Sequence, residues 1–326
     1  MNGRAGNADI GNEEPMTTIK RILYATDLSP ISEPAWHEAR RFGGLFDAEI
    51  LLVHVVPSVT LPLEGYFPPH MYDELVQSAR REAEAGFDRL LGSVPGSGLK
   101  VRIRLEDGAP AQRILAVAHE ERTDVVIVGT HGRAGLQRAL LGSVADRLVR
   151  QAPCPVVTVQ PALGAKLGAK IRRICYATDF SPTARAAWPW VVSIASAADA
   201  EIDLVHATFS PVPDRHLSAE ALGRIAHTLH EQGRLEAQRF LEMSPFPGGR
   251  INVRLSHGDP GEQVVHQAPA QSADLIVMGT HGWSGLVRWM LGSVAHHVIQ
   301  TAPCPVLTVA PPSVSEQGAE SQGAGR

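Results

Sequence analysis

The 326-residue chain is 44% hydrophobic and 20% charged, enough apolar material for roughly two packed domains. Its formal charge of −4 and pI near 6.4 argue against a broad surface for nucleic acid or anionic membrane. Three cysteines, Cys154, Cys175 and Cys304, stand far apart with no CxxC pair, which excludes a disulfide framework and suits a reducing, cytoplasmic setting.

In chain order, residues 1–18 are polar and acidic-leaning with no apolar core, so they read as a disordered tail rather than a secretory signal. Alternating strands and helices follow. Strands are predicted at 21–26, 49–56, 99–105, 124–128 and 155–160, and helices at 30–43, 71–92, 110–121 and 143–151. Runs such as "DVVIV" are apolar without interruption, as expected of parallel strands covered on both faces. Ser29-Pro30 reads as an N-cap with proline at the first helical position. The small-residue stretch "PALGAKLGAK", 161–170, has the composition of a linker.

The whole pattern then returns after about 150 residues, close to one domain length. "RILYATDLSP" at 21–30 recurs as "RICYATDFSP" at 173–182, and "APCPVVTV" at 152–159 as "APCPVLTV". The chain therefore divides into units at 19–160 and 171–310, with a second polar tail at 311–326. No apolar run reaches the length of a membrane span. Each unit is predicted to be a doubly wound α/β sandwich.

The most concentrated chemical signal is "GTHGRAGLQRALLGS", 129–143, which leaves an apolar strand and enters a helix at Ser143; the second unit has "GTHGWSGLVRWMLGS" at 279–293. Glycines allow positive φ and close approach of the backbone to a ligand. Together with the N–H groups of a helix's first turn they form a positive concavity suited to phosphate. Ser143 can cap its helix, with Asp146 at the capping-box position, or give its hydroxyl to a phosphate oxygen. His296 replaces Asp146 in the second copy, yet Gly292-Ser293 persists, and capping leaves Gly132 and Gly282 unexplained. Walker and GxGxxG phosphate signatures are absent.

The spacing Gly129-x2-Gly132-x9-Gly142-Ser143, with the early "YATDLSP", the strand "LLVHVV" and the closing "APCPVVTV", resembles the ATP-binding branch of the universal stress protein family, here in tandem. The resemblance implies two Rossmann-like (adenine nucleotide alpha hydrolase-like) sandwiches, each a five-stranded parallel sheet in order 3-2-1-4-5. It implies ATP with Mg²⁺ or Mn²⁺ as ligand, the metal being held indirectly by Asp27 and Asp179 with the phosphates. It assigns Val55 and Val128 to the adenine pocket, and Gly129, Gly132, Gly142, Ser143 and Val144 to ribose and phosphates; His131 and Arg133 lie within reach. The second-unit equivalents are Ala207, Met278, Gly279, His281, Gly282, Gly292, Ser293 and Val294. Subunits of the family pair through the last strand, which implies either an internal pseudo-dimer or a homodimer.

Ala207 in place of Val55, and Trp283 and Trp289 in place of Arg133 and Ala139, distinguish the second site. Nine of the fourteen histidines fall in the second unit, His227 and His230 at i, i+3, but no metal-ligand pattern organises them. His54 and His206 interrupt apolar strands and read as hydrogen-bonded structural residues. No general base or phosphate-binding lysine accompanies the loops. The expectation is therefore an ATP-binding regulatory protein rather than an enzyme, with at most slow hydrolysis and possible regulatory protein partners. The rival is a nucleotide-free scaffold.

Overall fold

In the computed structural model, the described residues are 17–57, 69–92, 98–132, 141–166, 170–208, 218–282 and 291–311. The first unit runs β1 (Arg21–Ala25), α1 (Glu33–Phe46), β2 (Glu49–Val56), α2 (Pro69–Gly92), β3 (Lys100–Asp107), α3 (Pro110–Glu120), β4 (Val125–Gly129), α4 (Ser143–Gln151) and β5 (Val156–Val159). The second runs β6 (Arg173–Ala177), α5 (Pro182–Arg185), α6 (Trp188–Ala198), β7 (Glu201–Thr208), α7 (Ala219–Met243), β8 (Ile251–His257), α8 (Pro260–Ala270), β9 (Leu275–Gly279), α9 (Ser293–Thr301) and β10 (Val306–Val309). Each unit is a parallel sheet in the order third, second, first, fourth, fifth strand.

The two sheets are one. β5 and β10 pair antiparallel, Val157 opposite Leu307, so ten strands form a continuous sheet. Thr158 donates its hydroxyl to the Val306 carbonyl (3.3 Å) and Thr308 reciprocally to that of Val156 (3.1 Å). Side-chain alternation divides the core by face. Ile22, Tyr24, Val125 and Ile127 turn toward α1, α2, α6 and α7, and Leu23, Ala25, Val126 and Val128 toward α3, α4, α8 and α9. Both cores run unbroken across the β5–β10 seam, with Leu307 and Val309 on one side and Val306 on the other.

Several local expectations are corrected. The helix expected at Pro30 opens as a 3-10 turn, Pro30–Ser32, before α1 begins at Glu33. Ser29 caps nothing: its hydroxyl donates to Asp27 Oδ1 at 2.7 Å. Ser181, its counterpart, does accept the Ala184 N–H at 3.2 Å. The stretch read as a linker forms a 3-10 turn over Pro161–Lys166 with Leu163 buried in the core. Of the tail at 1–18, residues 1–16 lie outside the described set, while the Thr17 carbonyl accepts the Ser193 hydroxyl of the other unit. The tail at 311–326 lies outside it from residue 312 onward.

A buried ion pair also sits at the inter-unit contact. Glu38 is fully buried and meets Arg41 at 2.7 Å, and Arg41 Nη2 reaches the Asp274 carbonyl of the second unit at 3.1 Å. Burial raises the Glu38 pKa above the usual carboxylate range, with Arg41 opposing.

Candidate functional site

The carboxyl ends of β1 and β4 diverge where the winding direction reverses, and this opens a crevice in a doubly wound sheet. β1 hands over to Thr26-Asp27-Leu28, and Leu28 takes φ 61, a left-handed conformation costing a leucine about 1–3 kcal/mol. Three bonds impose it. The Leu28 N–H donates to Thr26 Oγ1 (2.9 Å), Ser29 N–H donates to Asp27 Oδ1 (3.0 Å), and Tyr24 OH donates to the Ser32 carbonyl (3.0 Å). The second unit repeats the device, with Phe180 at φ 58 and Tyr176 OH donating to the Ala184 carbonyl. This strained turn is the element that sequence reading missed; its signal was the repeated Tyr-Ala-Thr-Asp.

The glycines act by close approach. Gly142 has φ −61, and the described glycines with positive φ are Gly98, Gly108, Gly248 and Gly258, so the expectation of positive φ in the loop is corrected for its described residues. The Gly142 N–H donates to the Thr130 carbonyl at 2.8 Å, and a Cβ at 142 would stand 2.9 Å from that same oxygen. Gly292 and Thr280 repeat the contact, with the corresponding Cβ distance 3.0 Å. A Cβ at Gly132 would stand 2.9 Å from Asp27 Oδ2, and one at Gly282 would strike Asp179 Oδ2. The described ends of the loop thus lie tightly against the end of its own strand and against the β1 carboxylate.

Helix α4 begins at Ser143 with Gly142 as its N-cap and no side-chain cap; Asp146 instead binds Arg150 at 2.8 Å. Ser143 is exposed at the first helical position, as is Ser293 in α9, which is likewise uncapped by any side chain. The first-turn N–H groups therefore have no partner within the helix and open toward the crevice.

Here lies a cavity of about 740 Å³, within the range of small-ligand pockets. It gathers Asp27, Val55, Val128, Gly129, His131, Gly132, Gly142, Ser143 and Val144, with Ile114, Ala25 and Leu28 adding apolar wall. Every described first-unit residue expected at the site lines it. Arg133, Arg138, Trp283 and Trp289 lie outside the described residues. His131 Nδ1 is 2.9 Å from Thr130 Oγ1 while its Nε2 is buried with no partner among the described residues, and His281 repeats this with Thr280. His54 Nδ1 meets the Thr26 carbonyl at 2.8 Å and His206 Nδ1 that of Thr178 at 2.9 Å, the structural role expected of both.

The second unit differs. One cavity there, of about 570 Å³, holds Asp179 but is otherwise built from Phe180, Pro182, Arg185, His206, Thr208 and the face of α7 from Leu229 to Glu236. Ala207, Met278, Gly279, His281, Gly282, Gly292, Ser293 and Val294 are not among its lining residues. A Cβ at Gly279 would stand 3.0 Å from the Thr183 carbonyl of α5.

Fold and site together define a class: a tandem doubly wound α/β protein with a glycine-walled crevice at the switch point of its first sheet. The profile described as "Universal stress protein family" matches residues 18–160 and again 170–310, and the chain belongs to that family. A universal stress protein of Mycolicibacterium smegmatis is 29% identical over 296 residues, covering 89% of this chain and 97% of the relative. Universal stress protein MJ0531 of Methanocaldococcus jannaschii is 34% identical over 157 residues, 47% of this chain and 88% of its own length. The crystal structure of a universal stress protein from Archaeoglobus fulgidus superimposes with TM-score 0.64 at 20% identity, covering 90% of this chain and 98% of that one, which establishes likeness of fold. Among the described residues no helix is long and apolar enough to cross a membrane.

Proposed function

We propose that this chain is a cytoplasmic, ATP-binding regulatory protein of the stress response, with the nucleotide seated in the first-unit crevice. One observation carries the reading: a single cavity is lined by an apolar wall (Val55, Val128, Ile114), by a strand-end carboxylate (Asp27) and by the side-chain-uncapped N-terminus of α4 at Gly142–Ala145. Adenine suits the wall, and the phosphates suit the backbone donors of the glycine loop. The close approaches at Gly282 and Gly292, with Gly279 at the end of β9 and Ser293 and Val294 opening α9, support extending the reading to the second unit.

Among the described residues no group of three or more His, Cys, Asp or Glu side chains is arranged to hold a metal. A lone carboxylate beside a phosphate cradle fits Mg²⁺ or Mn²⁺ held jointly with nucleotide phosphates, since Mg²⁺ commonly takes one or two carboxylates plus substrate oxygens. Asp27, and in the second unit Asp179, would be those protein ligands. Bound nucleotide would order the loop and shift the exposed surface toward a form recognised by regulatory protein partners. The β5–β10 pairing supports an internal pseudo-dimer over a homodimer through the same strands.

Calorimetric titration with ATP and Mg²⁺, alongside assay of nucleotide retained on purification, tests the reading and counts the sites. Saturable binding at one or two per chain is expected. A flat titration with no retained nucleotide would leave the nucleotide-free scaffold in its place.

A further inference from the structure

The second-unit cavity carries a cationic side chain that, among the described residues, the first-unit crevice lacks. Arg185 stands on α5 where the first unit has Glu33, four residues after the matching Ser-Pro pairs begin. Its Nε donates to the Phe180 carbonyl at 2.9 Å, and its guanidinium lies over the Phe240 ring, 5.6 Å from the centroid. Stacking and that one bond fix the plane of the group, as planar guanidinium permits. Nη1 and Nη2 keep their four N–H donors, and among the described residues they meet no acceptor and no carboxylate.

The acids of the same cavity are already engaged. Asp179 Oδ1 accepts the Ser181 N–H at 3.0 Å, and Glu236 pairs with Arg239 at 3.4 Å. Two carboxylates and one guanidinium thus line the cavity, and the guanidinium brings the cationic hydrogen-bond donors that, among the described residues, have no partner. Gln232 adds a carboxamide on the rim, and Phe180 supplies an apolar wall.

We propose that this cavity is a binding site for a small organic oxyanion, a carboxylate or phosphate monoester carried on an apolar body, held by the Arg185 fork. The proposal stands whether or not nucleotide occupies the first unit.

The test is calorimetric titration of the full chain with benzoate and, separately, phenyl phosphate. One site per chain for at least one of them is expected, and which one binds tells carboxylate from phosphate. Arg185→Glu, the first unit's own residue at this place, should weaken that binding roughly tenfold or more, as expected for a lost charge-assisted pair. ATP binding at the first unit should be unchanged in the same variant. If circular dichroism shows Arg185→Glu unfolded, Arg185→Lys serves instead: it keeps the charge, loses the fork, and should bind severalfold more weakly. No heat with either compound, or unaltered affinity in the folded variant, overturns the proposal.

Discussion

Gly142→Ala isolates what the loop glycine does. The backbone at 142, φ −61 and ψ 143, suits alanine, so the substitution introduces no conformational strain. The added Cβ would sit 2.9 Å from the Thr130 carbonyl, a backbone atom that cannot rotate aside. Relief to ordinary contact requires the loop to open by about half an ångström in a close-packed setting. That movement stretches the 2.8 Å bond from Gly142 N–H to the same carbonyl. Losing a neutral hydrogen bond of this kind costs about 1 kcal/mol, worth about 2–4 °C in Tm for a chain of this scale. The effect on nucleotide should be larger, because the displaced N–H groups would face an anion. One charge-assisted bond lost is about 1.5–3 kcal/mol, roughly tenfold to a hundredfold in Kd. Gly44→Ala is the control: it lies within α1 with open space around it and should stabilise by about 0.5–1 kcal/mol without touching ATP affinity. Differential scanning fluorimetry and calorimetry read the two effects. Parent affinity in a folded Gly142→Ala protein refutes the argument that this contact shapes the phosphate cradle.

Arg41→Ala should cost about 3–5 kcal/mol at neutral pH by leaving the buried Glu38 carboxylate without its cation. Because the folded chain holds the Glu38 proton more tightly than the unfolded chain, stability from this group falls as pH rises through its folded pKa; urea denaturation should show the variant's deficit shrinking on acidification, and equal deficits at about pH 5 and pH 8 would contradict this. Burial pushes the Cys154 and Cys304 thiols up to about 12 and raises Cys175 as well, so an aromatic disulfide reagent at about pH 8 should leave the native protein largely unlabelled and titrate all three cysteines in denaturant. Rapid native labelling would show that these strand-end thiols open more readily than their burial implies. Leu307→Ala, at the β5–β10 seam, should lower the unfolding free energy by about 2–5 kcal/mol in chemical denaturation; a change under about 0.5 kcal/mol would mean that the seam contributes little to the core.

How much of this was legible in the amino acids depends on the range of the interaction. Strand-and-helix alternation, the two copies and the glycine loops follow from periodicity and spacing, because side-chain alternation and backbone freedom are properties of neighbouring residues. Asp27 and Gly129 could be brought to one crevice by topology alone, since a doubly wound sheet has a single switch point per unit. Local rules misjudged Ser29, which has the right identity for a cap; only the folded turn offered its hydroxyl the Asp27 carboxylate at 2.7 Å instead.

Positive φ and close approach to a ligand were the reasons foreseen for the loop glycines, yet it is the Thr130 carbonyl, not φ, that constrains Gly142. Sequence could not foretell this, because the oxygen belongs to a residue twelve positions away whose approach is set by the end of β4. Leu28 is similar: a leucine at φ 61 is held there by Thr26, Asp27 and Tyr24 acting together. Burial of Glu38 against the second unit and the unspent fork of Arg185 are likewise tertiary outcomes. The chain's alphabet specified two α/β units and the glycine loop that follows the fourth strand of each. The packing of those units decided which charges were neutralised and which were left facing a cavity, because pairing and desolvation depend on neighbours brought together only by the fold.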